Sequence, residues 1–272
     1  MMQSTGRQNE KISIDTALRR SAGTQNSGFF FDFDGVLAPI QPDPDSVAPV
    51  PGIIDQLAEL VPLVRKIVII SARPVTFLLR YFGGLPAISL YGLYGLESVI
   101  DGRSCVNPAA ESWAQIVQSV KRDADDELPA GVYVEDKRLS VSLHYRKHPE
   151  FREQVENWAA ARARQLGLIE QQGRMVVELK PPVSIDKGTV LGAEVDDLRC
   201  AWYFGDDISD ARGFQALRDK HRRDPGFIAV CVAVRNAETG QSLEEQADFT
   251  LHGPEAVPEL LASAVTVYRA GA

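Results

Sequence analysis

The run Phe29-Phe30-Phe31 is closed by Asp32, and Phe33-Asp34-Gly35 follows at once, giving the string FFFDFDGVL. An apolar run this short, bounded by a turn residue, reads as a strand buried on both faces. Such strands belong to parallel sheets covered by helices, and open α/β sheets take their ligands at the carboxyl ends of the strands. Asp32 and Asp34 stand at such an end, and a period of two aims both carboxylates the same way. Like charges this close cost free energy unless a cation or proton is shared between them. The pair therefore points to a divalent metal site.

The same punctuation recurs downstream. Ile53, Ile54, Leu57, Leu60 and Val61 have helical spacing after the Pro-rich loop 39–51, and Ile67-Val68-Ile69-Ile70 is another buried strand. That strand ends at Ser71-Ala72-Arg73-Pro74, where Pro74 suits the first turn of the next helix and Arg73 stands at the strand's carboxyl end. A short strand from Ile88 to Tyr91 and a turn at Asp101-Gly102 follow. This order indicates a parallel sheet with right-handed crossovers.

Between Cys105 and Val183 the pattern changes. A predicted helix, Pro108 to Leu128, precedes a strand at Val132 to Val134 and an alternating segment from Leu139 to Tyr145. Alternation marks a half-exposed antiparallel strand. A helix from Phe151 to Leu166 and a strand from Met175 to Leu179 complete an αββαβ series, read as an inserted cap. The parallel pattern resumes with Ala201 to Phe204 entering Gly205-Asp206-Asp207, then Ile228 to Val234, Phe249 to Leu251 and a helix starting near Pro254. The predicted organisation is an N-terminal extension over 1–27, its first dozen residues disordered, a core domain built from 28–104 and 184–272, and a cap over 105–183.

At 272 residues and 44% hydrophobic content the chain can bury a full core. Its formal net charge of -8 argues against nucleic acid or an anionic membrane surface as a partner, since both need a basic patch. An acidic protein can still hold a phosphorylated small molecule with a few local cations and one metal. Cys105, Cys200 and Cys231 form no CxxC pair, which predicts a reduced protein with buried thiols. The first 27 residues lack the apolar core of a signal peptide, and no apolar run approaches the roughly 20 residues of a membrane span. A soluble, cytoplasmic protein is expected. His144, His148, His221 and His252 share no metal-ligand spacing, and Trp113, Trp158 and Trp202 read as packing residues.

Ser71, Lys187 and the Asp206-Asp207 pair fall at strand ends or a helix start like the first acidic pair. Phosphoryl transfer through an aspartyl phosphate needs this mixture. A carboxylate nucleophile can approach a phosphate only after its negative charge is neutralised, which Mg²⁺ and a lysine ammonium can do. A serine hydroxyl can hold a phosphate oxygen, and a second aspartate can protonate the leaving alkoxide and later activate water.

This ordered set resembles the haloacid dehalogenase (HAD) superfamily, whose signature is DxDG, then Ser or Thr, then Lys, then an acidic pair. FDFDGVLAPI (31–40), SARP (71–74), GLYGLE (92–97), VEDKRLSVSLHYR (134–146), VELKPPVSIDKG (177–188) and FGDDISDARGF (204–214) are similar to the trehalose-6-phosphate phosphatase family over nearly the whole chain. The resemblance implies an α/β fold, a HAD-like Rossmannoid parallel-sheet core with an inserted α+β cap of αββαββ type. It implies a Mg²⁺-dependent phosphatase that hydrolyses trehalose 6-phosphate to trehalose and phosphate through an aspartyl phosphate, with Asp32 as nucleophile and Asp34 as general acid and base. Lys187 and Ser71 would complete the catalytic set. Mg²⁺ would be held by Asp32, the Asp34 main-chain carbonyl and Asp206, with Asp207 and Asp210 behind them. Arg73, Glu135, Lys137, Arg146 and Glu178 would bind the substrate. Val36, Ala72, Tyr94 and Ser209 stand where the family usually has Thr, Gly, His and Thr. A phosphatase of a related glycosyl phosphate (a pseudo-disaccharide phosphate or glucosylglycerol phosphate), a sugar phosphomutase and a sugar-phosphate-binding regulator are the competing readings.

Overall fold

The computed structural model describes residues 12–24, 26–41, 43, 46–173, 175–236, 239 and 241–271. The elements α1 (Ile14–Ala22), β1 (Ser27–Phe31), α2 (Ile53–Leu60), β2 (Lys66–Ile70), α3 (Val75–Phe82) and β3 (Ile88–Gly92) lead to a hairpin, β4 (Glu97–Ile100) and β5 (Arg103–Val106). Then come α4 (Pro108–Glu111), α5 (Ala114–Glu127), β6 (Tyr133–Asp136), β7 (Val141–His144), α6 (Arg152–Leu166), β8 (Ile169–Gly173) and β9 (Val176–Lys180). The chain ends with α7 (Lys187–Glu194), β10 (Cys200–Gly205), α8 (Ala211–Arg223), β11 (Ile228–Arg235), α9 (Gln241–Gln246), β12 (Phe249–His252) and α10 (Ala256–Gly271). Two compact units result. The first comprises the described residues up to Pro39, Pro49–Ile67 and those from Leu191 onward, and the second comprises Ile40–Ala48 and Val68–Val190.

In the first unit the strands lie in the order β12-β11-β10-β1, with parallel pairing throughout. The register of β1 on β10 sets Phe29 beside Trp202 and Phe31 beside Phe204, and the rings stack at centroid distances of 5.7 and 4.7 Å. All four are fully buried. Aromatic side chains of this size dominate core energetics, so this stack pins the register of the two strands. Tyr203 points to the other face and meets Phe214 of α8 edge-on at 5.9 Å, so β10 is covered on both sides. Both strands accordingly read as unbroken apolar runs. The Asp32 N–H donates to the Phe204 carbonyl at 3.0 Å, carrying the ladder one residue past β1. Asp32 and Asp206 therefore emerge at the same end of neighbouring strands.

Helix α10 packs against α1 and α2. Helix α1 starts at Ser13, whose hydroxyl accepts the Thr16 N–H, and it carries Asp15 in its first turn and Arg19 and Arg20 in its last. It lies within the segment expected to be an N-terminal extension; residues 1–11, most of the stretch expected to be disordered, lie outside the described residues. Cys200 and Cys231 are buried, and burial pushes both thiols up to about 12. Cys105 departs from the expected burial, because β5 is an edge strand with its side chains exposed. Among the described residues no helix is long and apolar enough to cross a membrane.

In the second unit the Ser71 N–H donates to the Tyr91 carbonyl, and β3, β4 and β5 pair antiparallel. Asp101 and Gly102 both have positive φ, the two-residue hairpin turn that matches strand twist. Pro74 is the N-cap of α3 rather than a residue of its first turn, since its ψ of 150° is extended. The helix expected from Pro108 to Leu128 is broken at Ser112-Trp113 into α4 and α5. A four-stranded antiparallel sheet follows in the order β6-β7-β9-β8. Strand β8 supplies the sixth element of the αββαββ series, which the apolar pattern missed because IEQQG has one apolar side chain. Helices α5 and α6 cover one face of this sheet around Val141, Leu143, Val177 and Leu179. The opposite face is polar.

Candidate active site

In the first unit, Asp32, Asp206 and Asp210 each place a carboxylate oxygen within 4.8 Å of the other two, and all three are buried. The loop after β1 is tightly wound: the Phe33 carbonyl accepts from the N–H groups of Val36, Leu37 and Ala38, and the Gly35 N–H donates to the Ala38 carbonyl at 2.7 Å. Gly35 sits at φ +80°, and a side chain there would meet Asp206 Oδ2 at 2.2 Å and Asn236 Nδ2 at 2.8 Å. Only glycine satisfies both the conformation and the space. Asp34 is half-buried beside this turn.

The two loops hold their carboxylates differently. Asp210 Oδ1 accepts from the Tyr203 hydroxyl at 2.5 Å, and its Oδ2 accepts the Asp206 and Asp207 N–H groups at 2.9 and 3.2 Å. Its oxygens are committed to fixing the loop after β10. Asp207 Oδ1 accepts the Ser209 hydroxyl and N–H at 2.6 and 2.8 Å, so serine performs there what a threonine hydroxyl would. Asp32 Oδ1 accepts the Phe33 N–H, and Asp206 Oδ2 accepts from Asn236 Nδ2 at 2.8 Å. Asn236 is itself oriented, its Oδ1 accepting the Thr239 N–H and its own N–H donating to Thr239 Oγ1. Asn236 was not foreseen from sequence; its signal is a polar residue one position past the apolar run of β11. A buried set of oxygen donors with like charge suits a hard divalent cation.

In the second unit Ser71 is fully buried, and its Oγ accepts the Arg73 N–H at 3.1 Å. The Leu93 and Tyr94 N–H groups donate to the Arg73 and Ser71 carbonyls, tying this turn to the segment after β3. Glu97, also unforeseen, is buried and accepts the Val75 N–H at 2.7 Å, capping α3 in place of Pro74. The Arg73 guanidinium lies 4.5 Å over the Phe77 ring. Lys187 is buried at the start of α7, whose first turn is capped by Asp186 Oδ1 accepting the Thr189 N–H.

The polar face of the four-stranded sheet carries Glu135 and Glu178, and Lys137 and Arg146 lie just past the ends of β6 and β7. Glu135, Ser142, Glu178 and Gln171 are directly opposite one another across the strands, forming one rung. Lys137 Nζ lies 3.5 Å from Glu178 Oε1, which also accepts from Ser140 Oγ at 2.5 Å. His144 Nε2 is 2.8 Å from Glu135 Oε2, so a histidine expected to be merely structural touches an expected substrate residue. Burial pushes the Glu135 carboxyl up, but the His144 hydrogen bond and the charges of Lys137, His144 and Arg73 together hold it below its ordinary value. Arg146 is exposed just past β7.

Residues 30–254 match the family described as trehalose-phosphatase. The chain is 35% identical over 245 residues to the trehalose-phosphate phosphatase of Mycobacterium leprae, covering 85% of this chain and 55% of that protein. A Mycobacterium marinum protein of the same name is 34% identical over 243 residues and is covered over 59% of its length. The chain thus spans little more than half of these relatives. In fold it is similar to the C-terminal domain of the C. albicans trehalose-6-phosphate phosphatase, with a TM-score of 0.75 over 94% of this chain and 97% of that one at 22% identity.

Proposed function

Because the chain belongs to the trehalose-phosphatase family of the HAD superfamily, we propose that it hydrolyses trehalose 6-phosphate to trehalose and phosphate. The observation that carries this reading is the buried trio of Asp32, Asp206 and Asp210 at the ends of β1 and β10, in a chain that matches the family over residues 30–254. An Asp32 carboxylate oxygen attacks phosphorus, forming an aspartyl phosphate as the bond to the sugar oxygen breaks. Asp34 gives its proton to the departing sugar alkoxide. It then takes a proton from a water molecule, which attacks the same phosphorus and releases phosphate with Asp32 restored. Mg²⁺ is the proposed cofactor: Asp32, the Asp34 carbonyl and Asp206 would hold it, and it would supply positive charge to the phosphate oxygens. Asp207 and Asp210 keep the loop after β10 in place, and the hydrogen bonds to Asp210 support that role.

Ser71 and Lys187 are assigned to phosphate oxygens, Lys187 as a point charge. Glu135, Lys137, Glu178, Arg146 and Arg73 are assigned to the substrate, since charged groups can exchange hydrogen bonds with sugar hydroxyls. Three free cysteines and a net charge of -8 fit a cytoplasmic enzyme of small molecules rather than a nucleic-acid binder.

The test is phosphate release with Mg²⁺ from a panel of mono- and disaccharide phosphates, with Asp32→Asn alongside. Release from trehalose 6-phosphate is expected, falling at least about 10³-fold in Asp32→Asn. Isomerised sugar phosphate without net release would instead establish a mutase, and a wild type inert on every member would overturn the phosphatase reading.

A further inference from the structure

We infer that Tyr94, Gln171 and Lys180, all in the second unit, form a specificity-determining bracket that reads hydroxyls of the substrate's sugar; this rests on the sugar-phosphate reading above. Gln171 completes the rung that contains Glu135 and Glu178, and Lys180 lies two residues beyond Glu178 on the same face of β9. Period two therefore groups both with the residues already assigned to the substrate. Lys180 Nζ donates to Gln171 Oε1 at 2.5 Å and stands 5.0 Å from the centre of the Tyr94 ring, while Gln171 Nε2 donates to the Tyr94 hydroxyl at 3.3 Å.

Tyr94 reaches this position through strained backbone. Leu93 and Tyr94 are consecutive left-handed residues at φ 51° and 60°. Neither is glycine, and such conformations persist only where the surroundings enforce them and cluster at ligand sites. Here the enforcing bonds are the two N–H groups donated to the Arg73 and Ser71 carbonyls. The strain turns one aromatic ring from the Ser71 turn onto the polar sheet face.

The chemistry of the bracket selects its ligand. An ammonium has three N–H donors and a primary amide has two donors and an acceptor with two lone pairs, more than their mutual bonds consume. Lys180 and Gln171 are only half-buried, so the surplus is open to a ligand. A vicinal diol offers a matching donor and acceptor at each hydroxyl. A site built to bond hydroxyls discriminates strongly against analogues lacking them.

Steady-state kinetics of Lys180→Met, Gln171→Leu and Tyr94→Phe on trehalose 6-phosphate, glucose 6-phosphate and p-nitrophenyl phosphate, which carries no sugar, test this. For Lys180→Met, kcat/KM on the disaccharide phosphate should fall about 10- to 100-fold through KM, at least about tenfold more than on the aryl phosphate. Gln171→Leu should follow the same pattern, Tyr94→Phe should show the smallest loss, and Lys180→Arg should recover most of it. Equal losses on all three substrates, or none, would overturn the bracket while leaving the phosphatase reading intact. A wild type that hydrolyses the aryl phosphate but neither sugar phosphate would remove the sugar reading and the bracket with it.

Discussion

The carboxylate loops of the first unit and the polar sheet face of the second both bury charge, but at different densities of like charge. On the sheet face each acid has a basic or hydroxylic neighbour: Glu135 has His144, and Glu178 has Lys137 and Ser140. In the first unit Asp32 accepts from the Phe33 N–H, Asp206 from Asn236 and Asp210 from Tyr203 and two backbone N–H groups, and five aspartates crowd two short loops. The first arrangement suits recognition of neutral hydroxyls, where a fixed pattern of donors and acceptors is wanted. The second suits a multiply charged ligand pair, a cation and a phosphate, whose binding the crowding of like charge favours.

The sharpest way to break the comparison is Gly35→Ala. The new methyl would fall 2.2 Å from Asp206 Oδ2, at a φ of +80° that alanine resists. Because the clash is with the carboxylate and with Asn236, which orients it, damage should centre on the cation. Mg²⁺ affinity by titration calorimetry should weaken about 10- to 100-fold, and phosphate release should fall at least as far. Mg²⁺ affinity equal to that of the wild type would show that Asp206 is not held by the Gly35 gap.

What could be read from sequence follows the same division. Asp32, Asp34 and Asp206 are legible because burial on both faces forces an unbroken apolar run, and a charge at its end has few structural reasons to be there. The sheet-face residues are not marked in this way. A strand with one polar face is expected to carry charges, so Glu135 and Lys137 stood out only through the family resemblance, and Gln171 and Lys180 not at all. The roles of Asn236 and Glu97 were not legible for another reason: each acts on a partner 30 or 22 residues away, a relation that no local pattern records.

A smaller effect is expected where charge is paired. Lys137 and Glu178 are 9% and 6% exposed. Lys137→Met would leave the Glu178 carboxylate with the Ser140 hydroxyl but without its cation, a loss of about 2–4 kcal/mol in thermal or denaturant unfolding. Adding Glu178→Gln should return part of that stability, because the stranded charge is gone, while activity on the sugar phosphate stays low. If the double variant were as unstable as the sum of the singles, the pairing account of the sheet face would fail.

The smallest effect concerns Glu135. Its folded carboxyl is held below the ordinary 4.5, with burial working against the His144 hydrogen bond and the charges of Lys137, His144 and Arg73. A group whose folded value is depressed contributes stability above its unfolded value and loses it as pH falls through the folded one. The contribution is therefore complete at neutral pH and is given up below 4.5, over the interval between the two values. His144→Ala deletes the hydrogen bond and one charge and leaves the burial cost, so Glu135 should titrate higher, by an amount corresponding to no more than about 1 kcal/mol. Carboxyl NMR titration of the two proteins reads this directly. An unmoved Glu135 would mean that Lys137 and Arg73 hold the carboxylate by themselves, making His144 incidental to the polar face.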